Sequence, residues 1–299
     1  MRGVIWLNGV RLAEIQKPPL RRGEVLGKVL ASSINHIEKL ITLGFLPTDV
    51  GRILGSVGLI KAIDVGVGLN SNIIGRYFLL LPRPGRTGGI NFDGVLAELT
   101  SIPYELLIPI SKYYASALEV LIYAELSYVY DIVKHVKNKD VLVLGCGPTS
   151  YVIVKYIKDI CNAYVACLYN QQMRSKIAEL GVHIANYENL SRSDYDVIIV
   201  LTISGYPTTK ILKHIKNTGT IIIPPTVPRA LINLMGFDNN ISSAKLVIPN
   251  YVITDKVFKY LNIVYKELKN LVGFVRDFEE GLNSMFYFWR TIIYRKEEE

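Results

Sequence analysis

One stretch, Asp140 to Ser150 (DVLVLGCGPTS), constrains the fold of this 299-residue chain more than any other. Residues 141–145 form an apolar run with β-branched side chains and no polar break, which predicts a buried strand. A glycine-rich turn follows at once, and residues 151–160 then carry the pattern of a helix. A buried strand, a glycine turn and a helix start in this order are typical of a corner that binds the phosphates of a dinucleotide.

The residues of this turn have distinct roles in that prediction. Gly145 permits a tight turn, and Gly147 lets the backbone approach a pyrophosphate. The helix start offers unpaired N–H groups and a partial positive charge to an anion. Ser150 stands where a third glycine is usual, and it is small enough for close helix–strand packing. The predicted phosphate-binding residues are Gly145, Gly147, Pro148, Thr149 and Ser150. A tight turn without a ligand, or a site for a related cofactor, remains an alternative.

Composition excludes several classes of protein. Half of the residues are apolar and one fifth are charged, which indicates a globular chain long enough for two domains. No apolar run approaches the ~18 residues of a membrane-spanning helix, and the N-terminus alternates like a strand rather than like a signal peptide. We therefore expect a cytoplasmic protein without a membrane partner. The net charge of +8 comes from scattered residues, so we expect a basic surface that favours a phosphate-rich cofactor and no nucleic-acid partner.

The three cysteines do not form a recognisable cluster in the sequence. Cys146 lies inside the glycine turn, Cys167 lies in the next predicted strand, and Cys161 lies between them. None has the C-x-x-C spacing of a zinc knuckle or a redox pair. The sequence therefore predicts buried small apolar side chains and no disulfide framework.

The pattern of predicted elements changes along the chain. Residues 1 to about 110 read as short strands separated by glycines and prolines, beginning with a hairpin around Asn8-Gly9, and they predict a barrel-like β domain. Residues 112–136 have helical periodicity. From Asp140 onward strands and helices alternate, which predicts a doubly wound parallel sheet.

Several short motifs, taken in order, resemble the medium-chain dehydrogenase/reductase superfamily over essentially the whole chain. They are GEVL at 23–26, ILG at 53–55, VGVG at 65–68, GRYF at 75–78, DGVLAE at 93–98 and ALE at 117–119. The resemblance implies a GroES-like substrate domain at 1–112 with 264–299, and a Rossmann domain at 113–263. It also implies a small-molecule substrate in the cleft between the domains and a homodimer that pairs through the edge of the Rossmann sheet.

The sequence departs from the zinc-dependent members of that superfamily. Those members place a cysteine where this chain has Asn35, and His-Glu where it has Ser56-Val57. Residues 82–92 also lack the cysteines of the structural zinc lobe. Glu119 matches a carboxylate that some members bring to the metal, but one carboxylate does not make a zinc site. We therefore predict no bound zinc.

The segment SINHIE at 33–38, with GFLP at 44–47, resembles the zinc-free quinone oxidoreductases and enoyl reductases. In that branch a hydride passes from a reduced nicotinamide to the β-carbon of an activated double bond. The resemblance implies that Asn35 donates a hydrogen bond to the substrate carbonyl. His36 is a candidate proton donor, or else a surface or capping residue. Leu40 and Leu46 replace tyrosines that are frequent in that branch.

The cofactor predicted for the fold is NADP(H) rather than NAD(H). An NAD-preferring fold ends its second strand with a carboxylate that binds the ribose 2′-OH, whereas here Tyr169 and Asn170 follow that strand. Arg174 would attract a 2′-phosphate, unless it is simply a helix residue that faces solvent. By topology Thr202 and Ser204, after the fourth strand, would flank the nicotinamide.

The function predicted on these grounds is a zinc-independent oxidoreductase that transfers a hydride between NADP(H) and a carbonyl, quinone or enone. One alternative is a non-catalytic dinucleotide-binding or partner subunit that kept the fold. Another is an S-adenosylmethionine-dependent methyltransferase, because VLVLGCGPT at 141–149 also resembles the first motif of that class.

Overall fold

A computed structural model of the chain describes residues 1–116, 118–167, 171–188, 190, 194–202, 205–227 and 243–294. These residues form two compact units. Unit 1 holds the described residues of 1–125 and 265–299, and unit 2 holds those of 126–264.

The described strands, in chain order, are β1 (Arg2–Trp6), β2 (Val10–Glu14), β3 (Glu24–Ile34), β4 (Val57–Val65), β5 (Tyr77–Leu80), β6 (Leu99–Pro103), β7 (Leu107–Ile110), β8 (Asp140–Leu144), β9 (Asn162–Cys167), β10 (His183–Asn186), β11 (Tyr195–Val200), β12 (Ile215–Ile222), β13 (Lys245–Val247), β14 (Val272–Val275) and β15 (Arg290–Tyr294). The described helices are α1 (His36–Thr42), α2 (Lys112–Ala115), α3 (Val120–Leu126), α4 (Val129–Val136), α5 (Pro148–Ile157), α6 (Gln171–Ala178), α7 (Gly205–Leu212), α8 (Asp255–Leu268) and α9 (Phe278–Ser284).

Unit 1 is built mainly from antiparallel strands. β1 and β2 form the predicted hairpin, and both residues of its turn, Asn8 and Gly9, have positive φ. The larger sheet runs in the order β14-β15-β3-β4-β5-β7, with β6 also paired to β3. Its core includes Val25, Ile60 and Phe78, which are fully or almost fully buried. The predicted β-rich domain is therefore present.

Unit 2 contains a parallel sheet in the order β10-β9-β8-β11-β12-β13. The strand order reverses between β8 and β11, and in open α/β sheets ligands bind outside the carboxyl ends of the strands at such a switch point. The core of β8 is fully buried from Val141 to Leu144, as its apolar run predicts. The fold thus contains an α/β unit with a doubly wound parallel sheet and a separate β-rich unit.

The sequence did not predict four short strands: β7, β10, β13 and β14. β10 and β13 are four and three residues long and lie at the two edges of the parallel sheet, with side chains that are half-buried or exposed. Edge strands of this length carry too little apolar alternation to be recognised. The helical stretch predicted at 112–136 is divided into α2, α3 and α4. Among the described residues, no helix is both long and apolar enough to cross a bilayer.

The prediction that the cysteines are buried is confirmed for Cys146 and Cys167, but the prediction of no disulfide is wrong. Cys146 and Cys167 form a disulfide. They are 21 residues apart in sequence, but β8 and β9 are parallel neighbours in which Leu144 pairs with Ala166. The two Cα atoms consequently lie 4.8 Å apart, the spacing of adjacent strands. Cys161 remains a free thiol, and burial raises its pKa to about 11.

Candidate functional site

The first glycine of the turn is required by the backbone itself. Gly145 has φ +123°, a region that L side chains rarely adopt. A Cβ atom there would also lie 3.3 Å from the Cβ of Leu201, closer than ordinary contact. The N–H of Gly145 donates to the carbonyl of Ala166 at 3.0 Å, which joins the turn to β9.

The second glycine is not required by the backbone or by its described neighbours. Gly147 has φ −89° and ψ −177°, an extended conformation that any residue can adopt. A Cβ atom there would meet no heavy atom of the described residues within 4 Å. Local packing therefore does not explain this glycine, whereas the close approach of a ligand to the backbone would explain it.

Gly147 is also the N-cap of α5, with Pro148 at the first helical position. Within the described residues no side chain caps this end, and the first turn carries no acidic residue. The N–H groups of Thr149 and Ser150 belong to the first turn, where a helix leaves its donors without intrahelical partners. An open glycine turn and an uncapped helix start are suited to an anionic group. These residues fit the diphosphate of a dinucleotide.

The remaining predicted cofactor residues are less well defined. Thr202 lies two residues after the end of β11, whose Val200 pairs with Leu144 of β8. Thr202 and the glycine turn therefore both lie at the carboxyl ends of the parallel strands. Arg174 is exposed on α6. Tyr169, Asn170 and Ser204 lie outside the described residues. The roles of all five remain predictions.

The structure adds a feature to this corner that the sequence did not predict. The Cys146–Cys167 bond ties the residue between the two glycines to the last residue of β9. The only signal in the sequence was topological, because a parallel sheet brings the ends of successive strands together.

In unit 1, Asn35 is the N-cap of α1 and is completely buried. Its side-chain oxygen accepts from the N–H of Ile37 at 2.7 Å, and its own N–H donates to a carboxylate oxygen of Glu38 at 2.9 Å. The Asn35 side chain also accepts from the N–H of Glu38, and this bond and the one from the Asn35 N–H to the Glu38 carboxylate form a capping box. The amide nitrogen Nδ2 of Asn35 donates to the hydroxyl of Ser56 at 3.0 Å, and the N–H of Ser56 donates to Glu38 at 2.8 Å.

His36 is the first residue of α1 and is half-buried. The predicted catalytic residues are therefore adjacent at one helix start, with the Asn35 side chain turned into the protein. Their participation in catalysis remains a prediction.

The positions that hold zinc ligands in zinc-dependent relatives do not fit a metal ion here. The side chains of Asn35 and Ser56 are hydrogen-bonded to each other, and the side chain of Val57 has no atom that could bind a metal. Within the described part of the chain, no group of three His, Cys, Asp or Glu side chains could hold a metal.

A buried ion pair that the sequence did not predict lies in the same unit. Arg290 of β15 donates to Glu125 of α3 at 2.7 Å, and each side chain is only 1% exposed. One carboxylate oxygen of Glu125 and the Nε and Nη1 atoms of Arg290 have no partner among the described residues. Burial raises the pKa of Glu125 to about 7, although the charge of Arg290 opposes this shift.

Two charged side chains of α1, Glu38 and Lys39, interact electrostatically with this pair. Burial raises the pKa of Glu38, although the N–H of Asn35 opposes this shift. Burial and the charge of Arg290 lower the pKa of Lys39 to about 8. The Lys39 ammonium donates to the carbonyls of Phe288 and Trp289, which anchors α1 to the start of β15. Unit 1 therefore contains a cluster of buried and half-buried polar and charged side chains, which we call the α1 cluster: Asn35, Glu38, Lys39, Ser56, Glu125 and Arg290.

Comparison with known proteins gives likenesses in structure only. No protein-family model matches the chain, and no curated protein matches it. Among solved structures, an alcohol dehydrogenase, TADH, from Thermus sp. ATN1 is 15% identical with a TM-score of 0.70, over 99% of this chain and 100% of that one. A glucose dehydrogenase from Haloferax mediterranei, in complex with NADP, Zn and gluconolactone, is 14% identical with a TM-score of 0.68, over 99% of both chains.

A third similar structure is the 2R,3R-butanediol dehydrogenase from Bacillus subtilis, 16% identical with a TM-score of 0.65 over 99% of both chains. At these identities the likeness establishes the fold. The chain shares with these dehydrogenases the fold described above, a parallel sheet of the Rossmann type and a separate β-rich unit.

Proposed function

We propose that the chain is an NADP(H)-dependent oxidoreductase that transfers a hydride between the cofactor and a carbonyl, quinone or enone. The observation that carries the proposal is the open glycine turn at Gly147, at the switch point of a parallel sheet. The similar structures are named as alcohol, glucose and butanediol dehydrogenases, and this supports an oxidoreductase over other uses of the fold.

The preference for NADP(H) is supported by chemistry at the second strand. β9 ends in Cys167, and no carboxylate stands among the next seven residues. A carboxylate there would repel a 2′-phosphate, and Arg174 would attract one. The glucose dehydrogenase from Haloferax mediterranei is itself in complex with NADP.

Zinc independence is part of the proposal. That glucose dehydrogenase also contains Zn, whereas Asn35 and Ser56 here are bonded to each other and lack the chemistry of zinc ligands. When bound, NADPH would supply the hydride. Asn35 would orient α1 and the substrate oxygen, and His36 or solvent would supply the proton. We expect a homodimer that pairs through the edge of the Rossmann sheet.

A second candidate function is a dinucleotide-binding subunit without catalysis. It is favoured by the complete burial of Asn35 and the use of its side chain in capping α1. In that case the turn would bind the cofactor and no substrate would be reduced.

Binding is the first experiment. NADPH, NADH and S-adenosylmethionine are titrated against the wild-type chain and against Gly147→Trp. NADPH binding that Gly147→Trp abolishes, while folding by circular dichroism is unchanged, supports the proposal. Binding of S-adenosylmethionine alone would replace it with the methyltransferase alternative.

Turnover is the second experiment. NADPH oxidation is followed with a panel of quinones, enals, enones and ketones, for the wild type and for Asn35→Ala, Ser56→Ala and His36→Gln. Turnover that Asn35→Ala removes and Ser56→Ala retains supports a direct role for Asn35. Tight NADPH binding with no turnover on any substrate favours the non-catalytic subunit.

A further inference from the structure

We propose that Cys146 and Cys167 form a thiol–disulfide exchange site that controls dinucleotide binding, with the oxidised pair as the tighter-binding form. This inference rests on the proposed function, because it assumes that the glycine turn is the cofactor site.

The position of the bond is its first support. Cys146 lies between Gly145 and Gly147, and Cys167 is the last residue of β9. The bond therefore joins the phosphate-binding turn to the strand end beside which the adenosine ribose of a dinucleotide lies in this type of fold.

The space around the bond is the second support. Cys146 and Cys167 are each 7% exposed, so both residues are largely buried but keep a small part of their surface at which a thiol can reach the bond. With the bond formed, the position of a Cβ on Gly147 still has no described atom within 4 Å. The disulfide consequently holds the turn without filling the open space that the diphosphate would occupy.

Reduction would remove the covalent link between the turn and β9. Sulfur atoms that are no longer bonded must separate to a nonbonded distance, and the two residues sit in a buried corner. β8 and β9 would stay paired as far as Leu144 and Ala166, and within the turn the hydrogen bond from Gly145 to Ala166, at 3.0 Å, would remain. A turn that samples more conformations must be ordered again when the cofactor binds, which weakens affinity.

The exchange reaction needs a thiol reductant, and a dithiol supplies the required electrons. One thiolate of the dithiol attacks one protein sulfur, which breaks the Cys146–Cys167 bond, releases the other cysteine as a thiolate and forms a mixed disulfide. The second thiolate of the dithiol then attacks its own sulfur in the mixed disulfide and releases the second cysteine. Two electrons and two protons pass to the protein, which gives the thiols of Cys146 and Cys167, and the dithiol becomes a cyclic disulfide.

The test uses the full chain in three states: as oxidised, reduced with dithiothreitol, and reoxidised after its removal. Alkylation and mass spectrometry establish the state of each cysteine, circular dichroism checks folding, and NADPH titration gives the dissociation constant. Cys161→Ser is the matched control, because Cys161 lies just before β9 and outside the bond. The double variant Cys146→Ser/Cys167→Ser represents the reduced state without reagent.

We expect reduction to raise the NADPH dissociation constant about tenfold, reversibly, with the same effect in Cys161→Ser. The double variant should match the reduced protein and should not respond to dithiothreitol. Equal affinity in the oxidised and reduced forms would overturn this inference and leave the proposed function intact. Loss of folding on reduction would also overturn it, since the bond would then be a global crosslink. If no redox state binds NADPH or NADH, the proposed function itself fails.

Discussion

The glycine turn of unit 2 and the α1 cluster of unit 1 differ in how their polar groups are hydrogen-bonded. At the turn, no side chain of the described residues caps the helix start, and none of their atoms lies within 4 Å of the position of a Cβ on Gly147. In the α1 cluster, the Asn35 side chain caps a helix and binds Ser56, while Glu38 accepts from two backbone N–H groups. Backbone donors left open at a helix start can bind an anion, whereas side chains that are hydrogen-bonded to one another stabilise the fold. Substitutions should therefore change binding in one region and stability in the other.

The largest effect is expected when the buried ion pair loses its cation. Arg290→Met leaves the fully buried Glu125 carboxylate without its partner, so we expect a loss of about 3–5 kcal/mol in the free energy of unfolding. Urea denaturation measures it. The double variant Glu125→Leu/Arg290→Met is the matched control and should recover most of that loss, since it removes both charges. A cost below about 1 kcal/mol for Arg290→Met would mean that the pair is not isolated from water.

The second-largest effect is expected in the pH dependence of the free energy of unfolding, through the titration of Glu125. Its pKa is raised from 4.5 to about 7 in the folded chain, so the native state holds its proton more tightly than the unfolded state. The stability that Glu125 contributes is then complete below about pH 4.5 and is lost as the pH rises through 7.

Relative to Glu125→Gln, the wild type should lose about 3 kcal/mol of unfolding free energy between pH 4.5 and 8. Denaturant unfolding at a series of pH values tests this. Glu279→Gln, which changes an exposed carboxyl on α9, controls for a general charge effect. Parallel curves for the wild type and Glu125→Gln would contradict the prediction.

The two glycines of the turn should respond differently to the same substitution. Gly145→Ala should cost about 1–3 kcal/mol of stability, because φ is +123° and the added atom crowds Leu201. Gly147→Ala should cost less than about 1 kcal/mol, yet weaken NADPH binding several-fold. Thermal unfolding and NADPH titration of both variants separate the effects. Wild-type affinity in a folded Gly147→Ala would argue against close approach of a diphosphate.

The smallest effects are expected at the cap of α1. Asn35→Ala removes the cap and should cost about 1–2 kcal/mol, whereas Ser56→Ala removes one hydrogen bond and should cost about 1 kcal/mol. Asn35→Ser keeps a capping oxygen and should fall between the wild type and Asn35→Ala. Chemical denaturation ranks the three, and NADPH affinity should be unchanged in all. A change in NADPH affinity in Ser56→Ala would contradict the prediction that substitutions in the α1 cluster change stability and leave cofactor binding unchanged.

The sequence predicted most of the described elements because their signals are local. The apolar run at 141–145 became β8, the turn residues Asn8 and Gly9 have the positive φ that a tight hairpin needs, and the alternation from Asp140 onward produced a parallel sheet. The domain limits predicted near residues 112 and 263 rested on composition and resemblance. In the structure, the boundaries between the two compact units follow Glu125 and Val264.

The chemistry of each candidate site depended on distant partners, which no local pattern reveals. Asn35 stood out as a possible donor to substrate, but only the fold brings it to Ser56, 21 residues later. Glu125 and Arg290 are separated by 165 residues, and neither carries a motif. The sequence could mark polar residues, but it could not show which of them were already paired.

By itself, then, the sequence determined the glycine turn, the order of its elements and the class of ligand that they favour, because strand, turn and helix signals depend on neighbouring residues. Tertiary structure alone decided that Cys146 bonds to Cys167, that Asn35 caps a helix from a buried position, and that Arg290 neutralises Glu125. Each of these depends on strands and helices that meet only after the chain has folded, and burial then makes the choice of partner matter energetically.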